Sequence, residues 1–119
     1  MDLVGNHGRL LLRMMAASNL RQKVLAGNIA NEGTPGYVRK VVRFEDLLAA
    51  EYDGGRGDLN KVEARVEADH KSPVGPNGNN VNIETENASM RENRLLYEMY
   101  ASILEARSNM LRASITEGR

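Results

Sequence analysis

A row of apolar residues at strict seven-residue spacing limits the fold of this chain more than any other feature. The row predicts an α-helix that packs lengthwise against another helix in a coiled-coil seam. A helix over residues 83–116 would be roughly 50 Å long, whereas a compact domain of 119 residues is only about 27 to 30 Å across. We therefore expect this helix to extend beyond the body of the protomer and to be covered from outside. The row consists of Ile83, Met90, Tyr97, Leu104 and Leu111.

A second long helix is predicted near the start of the chain, over residues 9–31. Apolar residues recur there at roughly helical spacing, no Pro interrupts them, and Gly27 is the only interior Gly. Gly5 and Gly8 are poor helix formers, so we expect residues 1–8 to be ordered only by a neighbour. Together the two helices predict a mainly α fold, in which long N- and C-terminal helices form an antiparallel hairpin or coiled coil.

The segment between the helices is predicted to be irregular and partly extended. Residues 38–44 are rich in Val and positive charge, and residues 62–69 alternate apolar and charged side chains as a strand with one wet face does. The Gly- and Pro-rich stretches around them predict loops. The expected organisation is one structural domain with three segments: residues 1–37, the middle residues 38–80, and residues 81–119, for which Asn82 is the predicted helix N-cap.

Two carboxamides one helical turn apart precede an abrupt helix end in residues 28–37. Asn28 and Asn31 share a helix face, and Gly33 can take the left-handed position that ends a helix. The next residues suit a type II turn with Pro35 and Gly36 at its centre. Spacing alone favours a solvated helix end over a contact site. The candidate contact residues are Asn28, Ile29, Ala30, Asn31, Thr34, Pro35, Gly36 and Tyr37.

The same segment resembles a signature of the bacterial flagellar rod and hook protein family, in which Asn-Ile-Ala-Asn is followed shortly by Thr-Pro-Gly-Tyr. The resemblance extends upstream through residues 20–26 and downstream to Phe44, and it resumes at residues 79–86 and continues through the final helix. Within the family, the short length and this second segment are most similar to the proximal rod members. The resemblance implies a structural subunit that self-assembles with other rod proteins into the hollow drive shaft that transmits torque. Asn28 and Asn31 would then set the register between packed neighbours.

The resemblance also implies partners and a location. The implied partners are other rod proteins, the rod adaptor FliE and the MS-ring or export-gate side of the basal body, in a helical homo- and hetero-oligomeric assembly. Rod subunits leave the cytoplasm through the flagellar type III export apparatus without a cleaved signal peptide, and they assemble in the periplasm. Phe44, followed by Leu48, resembles the short element that the export gate recognises. Alternatively, the two side chains form an i, i+4 pair that packs on the helical body.

Composition and charge argue against other classes of protein. The 16 Lys and Arg balance the 16 Asp and Glu and aromatics are scarce, so a nucleic-acid-binding module is not expected. No stretch approaches the ~20 apolar residues of a membrane-spanning helix. The two His lack further ligands at metal-binding spacing, and no nucleophile and base converge. We expect a structural protein, not an enzyme, with no cofactor; a generic coiled-coil adaptor or helical-bundle regulatory protein is the alternative.

Overall fold

The chain is mainly helical, as the sequence predicts. A computed structural model describes residues 5–55 and 57–117. Over these residues the chain forms three α-helices, two short strands and one 3-10 turn. In chain order these elements are α1 (Asn6–Ala30), β1 (Lys40–Arg43), α2 (Glu45–Asp53), the 3-10 turn (Leu59–Lys61), β2 (Arg65–Ala68) and α3 (Ile83–Glu117).

Helix α1 begins earlier and ends differently from the prediction. Asn6 is its first residue and Gly8 is buried, so residues 6–8 belong to the helix without a neighbouring molecule, while residues 1–4 lie outside the described part. Gly33 was expected to end the helix in a left-handed conformation, which is wrong, because positive φ angles occur among the described residues only at Gly36, Gly55 and Gly78. The last helical residue is Ala30, with Asn31 as the C-cap, and the Asn79 side chain binds the carbonyls that follow the helix.

Helix α3 confirms the predicted start and length. The Asn82 side-chain oxygen accepts hydrogen bonds from the backbone N–H groups of Glu84 (3.0 Å) and Thr85 (3.2 Å), the arrangement of a helix N-cap. The helix has 35 residues, which makes it about 52 Å long. The molecule measures 68 × 30 × 14 Å, so this helix sets its long dimension.

The middle segment contains both predicted strands in shortened form and a helix that was not expected. Strands β1 and β2 pair antiparallel, with Val42 opposite Val66. Helix α2 follows β1 directly, within a stretch that was expected to be extended or looped. Its first turn carries Glu45 and Asp46, and acidic side chains are favourable at that end of the helix dipole.

The interior is small and half of it is polar. Its buried apolar residues are Ala17, Leu25, Val42, Phe44 and Tyr100, and its buried polar residues are Ser18, Asn28, Asn79, Asn80, Glu86 and Asn93. Both groups draw on α1, α3 and the segment between them. Among the described residues, three hydrogen bonds join the long helices directly. The Asn28 amide donates to Glu86 (3.2 Å), and the Asn93 amide donates to the Ser18 carbonyl (2.8 Å) and to the Gln22 side-chain oxygen (2.8 Å).

Candidate assembly site

The turn after α1 forms as the sequence predicts. The Tyr37 N–H donates to the Thr34 carbonyl (3.2 Å), and Gly36 has a φ of 76°, which is the positive angle that a type II turn requires at its second central residue. The turn packs against a second glycine turn at Gly78. A Cβ added to Gly78 would lie 3.3 Å from the Cα of Gly36, which is closer than an ordinary van der Waals contact, so the two turns would have to shift apart to admit a side chain.

Asn28 lies inside the protomer and uses all of its hydrogen-bonding capacity there. Its side chain has 0% exposure. The amide donates to the Lys40 carbonyl (2.8 Å) and to Glu86 Oε2 (3.2 Å), and the side-chain oxygen accepts from the Lys40 N–H (2.9 Å) and the Tyr37 hydroxyl (3.1 Å). One carboxamide therefore joins α1, β1, the turn and α3. Its partners are all in this chain, which leaves it no free group for a neighbouring subunit.

Asn31 also bonds within the chain, although it is only half-buried. Its amide donates to the Gly27 carbonyl (2.9 Å), and its side-chain oxygen accepts from the Thr34 hydroxyl (3.1 Å). The Asn79 amide donates to the carbonyls of Asn31 (2.8 Å) and Thr34 (2.8 Å). Asn79 therefore fixes the residues that follow the helix, whereas the last helical carbonyls accept from the Asn31 and Glu32 N–H groups.

A buried charge network fixes the strand pair to the start of α3. Arg39 donates to the fully buried Glu86 and to Asp69 Oδ2 (2.6 Å). Burial by itself lowers the pKa of Arg39, but its hydrogen bonds and charge attraction to Glu86 and Asp69 outweigh that effect and raise it. The pKa of Asp69 is held well below its usual range by the Ser72 hydroxyl and then by Arg39. Asp69 is therefore charged at neutral pH.

Sequence reasoning missed the side chains that complete this network. Asn79, Asn80 and Glu86 are buried, yet none of them was among the candidate contact residues. The Asn80 side-chain oxygen accepts from the Arg39 N–H (2.7 Å), and its amide donates to the Asp69 carbonyl (2.7 Å). The sequence feature that could have indicated them is the pair Asn79 and Asn80, which comes shortly before the predicted N-cap Asn82 in a stretch otherwise typical of a loop.

The predicted seven-residue row on α3 is half-buried, and a second row is buried more deeply. Ile83, Met90, Tyr97, Leu104 and Leu111 all have intermediate exposure. The fully buried residues of the helix are Glu86, Asn93 and Tyr100, which repeat at the same interval three positions later. The seam therefore has an apolar row at its edge and a largely polar row at its centre, an arrangement that the apolar pattern alone does not reveal.

The other candidate residues are divided between surface and core. In the N-terminal segment Ile29 is half-buried, and Ala30, Thr34, Pro35 and Gly36 are exposed. Phe44 is 2% exposed and belongs to the core. The Leu48 N–H donates to the Phe44 carbonyl (2.8 Å), so the pair occupies the first turn of α2, and Leu48 is half-buried.

Comparison with known proteins gives one consistent result. No family model matches the chain. Three proteins, each named flagellar basal body rod protein FlgB, match most of it: one from Cereibacter sphaeroides is 32% identical over 96% of this chain and 94% of its own length. One from Borreliella burgdorferi is 30% identical over 76% of this chain and 82% of its own length. One from Bacillus subtilis is 27% identical over 88% of this chain and 89% of its own length. The chain belongs to the FlgB family of flagellar basal body rod proteins.

Membership of the FlgB family confirms the predicted class of function. FlgB proteins are structural rod components and not enzymes, so the coiled-coil adaptor is not the favoured interpretation. Within residues 5–55 and 57–117 of this FlgB-family chain, no group of His, Cys, Asp or Glu is arranged to hold a metal ion. No helix in the same ranges is long and apolar enough to cross a membrane.

Proposed function

We propose that this chain is a proximal subunit of the rod, in which α1 and α3 form an antiparallel hairpin or coiled coil within a hollow helical tube. Two hydrogen bonds support the antiparallel arrangement, because the order of contacts is opposite in the two helices. Asn28, late in α1, reaches Glu86 near the start of α3, and Ser18, earlier in α1, meets Asn93, later in α3.

The observation that carries this proposal is the apolar surface that α3 leaves uncovered. Four large side chains on it are exposed, Leu95 by 66%, Met99 by 48%, Ile103 by 41% and Met110 by 72%. We call these four residues the α3 stripe. Adjacent apolar side chains left in water on a soluble protein indicate a binding surface. In a helical assembly the neighbouring subunit would cover the stripe, and a contact between unlike surfaces propagates without closing into a ring.

The buried polar network suits a passive shaft. Hydrogen bonds and charges that are buried and fully partnered define one relative position of the packed elements, because any displacement leaves a buried group unmet. Asn28 and Asn31 then act by fixing the end of α1 to the turn, β1 and α3, while the exposed Thr34, Pro35 and Gly36 remain available to a neighbour. We infer that the network makes the protomer stiff, which torque transmission requires.

We further propose partners and a route. Other rod proteins lie above this subunit, and FliE and the MS-ring or export-gate side lie below it, in the periplasmic part of the basal body. The subunit is exported without a cleaved signal peptide, with Phe44 and Leu48 as the recognition element. Since Phe44 is 2% exposed when folded, the export gate would have to read it in the unfolded chain.

The test is to express an epitope-tagged copy in flagellated cells that lack their own copy of this protein. We expect the tag in purified basal bodies, at the rod end that contacts the membrane ring, and restored motility. A tag found only in the cytoplasm, or basal bodies that form normally without the chain, would contradict a role as rod subunit. Labelling at the distal end of the rod would contradict the proximal position alone.

A further inference from the structure

An open groove runs along one side of the junction between α1 and α3. It contains two cavities, one of 160 Å³ lined by residues that include Ser18, Gln22 and Asn93, and one of 480 Å³ lined by residues that include Leu12 and Leu104. Its walls follow regular helical spacing, which places each set on one edge of its helix. On α1 these residues are Leu12, Met15, Asn19 and Gln22, and on α3 they are Arg94, Tyr97, Ala101, Leu104 and Ser108.

Asn93, which lines the smaller cavity, has a buried polar atom without a partner in the described part of the chain. Asn93 is 3% exposed, and its amide donates to the Ser18 carbonyl and to Gln22. Its side-chain oxygen is buried and has no hydrogen-bond partner among the residues that the structure describes. A buried acceptor without a donor is unfavourable by about 1 to 3 kcal/mol. A donor that enters the groove from outside would remove this penalty.

The α3 stripe has the length and the charge that this groove requires. Helix α3 presents exposed Glu92 one turn before Leu95, and Glu92 and Met110 are about 27 Å apart along the helix axis. The groove is bounded by Arg94 at one end and Arg112 at the other, again about 27 Å apart. Within the described residues neither arginine forms an ion pair. Either direction of an incoming helix therefore brings Glu92 close to an arginine.

We propose that the groove between α1 and α3 receives the α3 stripe of a second copy of this chain. The stripe and the groove lie on different sides of the hairpin, so each copy can give one surface and accept the other. With Glu92 beside Arg112, Asn109 of the incoming helix would lie opposite Leu95, within about 3 Å of Asn93 along the helix axis. Asn109 is exposed, and its amide would offer the donor that Asn93 lacks. This inference rests on the proposed rod function and adds the surfaces through which successive copies join.

Cysteine cross-linking tests this arrangement, since the sequence contains no cysteine. Ile103 of the incoming copy would lie near the middle of the groove. It would face Ala101 or Glu105 of the receiving copy, according to the direction of the incoming helix. In both cases it would lie beside Leu12 of the receiving copy. Leu12→Cys and Ile103→Cys are made in separate copies, and the two copies are mixed. We expect a disulfide dimer in the mixture and none above background in either copy alone, because the contact places position 12 beside position 103 and neither position beside itself. Ala49→Cys on exposed α2, mixed with Leu12→Cys, is the control and should not cross-link.

Several outcomes would overturn the proposal. Dimers of Ile103→Cys with itself would mean that stripe packs on stripe, and basal bodies that contain both copies without a cross-link would mean that another protein occupies the groove. If the cysteine-free chain is absent from basal bodies, the rod function fails, and cross-linking of the purified, concentrated chain then decides the inference by itself. Reversing Glu92 to Arg should weaken the dimer, and rescue by Arg94→Glu or by Arg112→Glu on the partner copy identifies the direction. Rescue by neither would contradict the charge pairing.

Discussion

The amide of Asn28 donates a hydrogen bond of 3.2 Å to the carboxylate of Glu86, which is 58 positions later in the chain. Both side chains are fully buried, and Arg39 pairs with the same carboxylate. Asn28, the first residue of the Asn-Ile-Ala-Asn segment, is therefore hydrogen-bonded to Glu86 in the first turn of α3. The segment depends on the C-terminal part of the chain for its own structure.

We predict that Glu86→Ala destabilises the protomer by about 3 to 5 kcal/mol, because it leaves the Arg39 charge partly buried without one of its carboxylates. The measurement is urea denaturation followed by circular dichroism. Glu84 lies in the same helical turn but is exposed, and Glu84→Ala should change stability by less than about 1 kcal/mol. Equal effects of the two substitutions would show that the Glu86 network does not stabilise the fold.

Asn28→Ala is expected to cost more stability than Asn31→Ala. The first change leaves the Lys40 N–H and carbonyl and the Tyr37 hydroxyl without the Asn28 side chain, and it removes one of the two partners of Glu86. An unmet buried group costs about 1 to 3 kcal/mol. Asn31→Ala removes two hydrogen bonds at a half-buried position, and we expect it to lower stability by about 1 kcal/mol. Secretion of both variants into the medium of a rod-blocked strain should equal that of the unchanged chain. A larger loss of stability for Asn31→Ala than for Asn28→Ala would contradict this prediction.

The half-buried row on α3 predicts that Leu104→Asp or Tyr97→Asp abolishes rod assembly. Both positions border the groove, where an unpaired carboxylate would be removed from water at high cost. The readout is motility together with the amount of the variant in purified basal bodies. Glu98→Gln, on the exposed face of the same helix, is the matched control and should be tolerated. Motile cells carrying Leu104→Asp would show that the row contacts no partner.

Phe44 has two predicted roles that one control can separate. Phe44→Ala should lower stability by about 3 to 5 kcal/mol, because the side chain fills the core, and it should also lower secretion if the export gate reads Phe44 in the unfolded chain. Val42 is similarly buried at 8% exposure, so Val42→Ala should destabilise without lowering secretion. Normal secretion of Phe44→Ala would remove the export role, while equal loss for both variants would attribute the defect to folding.

Stability is expected to fall in acid through Asp69. Its pKa is lower in the folded chain than in the unfolded chain, so its contribution is fully present above the unfolded pKa of about 4. That contribution is lost progressively as the pH falls from there through the folded value. Asp69→Asn should be less stable at neutral pH by about 1.5 to 3 kcal/mol and should have a flatter dependence below pH ~4. The measurement is the free energy of unfolding from pH 2 to 7 for both proteins. The same pH dependence in Asp69→Asn and in the unchanged chain would show that Asp69 is not coupled to folding.

The features that the sequence predicts correctly are those with short-range causes. The Asn82 cap, the turn at Gly36 and the length of α3 each follow from neighbouring residues and helical spacing. The features that it misses depend on residues distant in the chain. Gly33 has the right chemistry for a left-handed helix end, but the last helical carbonyls accept from the Asn31 and Glu32 N–H groups instead. The Asn79 amide, 48 positions after Asn31, binds the carbonyls that follow. The deep row through Glu86 and Asn93 is polar, so no hydrophobic period reveals it.

The three hydrogen bonds from the Asn79 amide to the end of α1 also affect the order in which the chain can fold. Their acceptors are the carbonyls of Asn31, Glu32 and Thr34, so the intervening loop must close before any of them forms. Closing a loop of this length costs conformational entropy before the contacts offset it. The end of the first helix is therefore completed late, when the start of the last helix arrives. A chain shortened before residue 79 would leave those carbonyls without this amide donor.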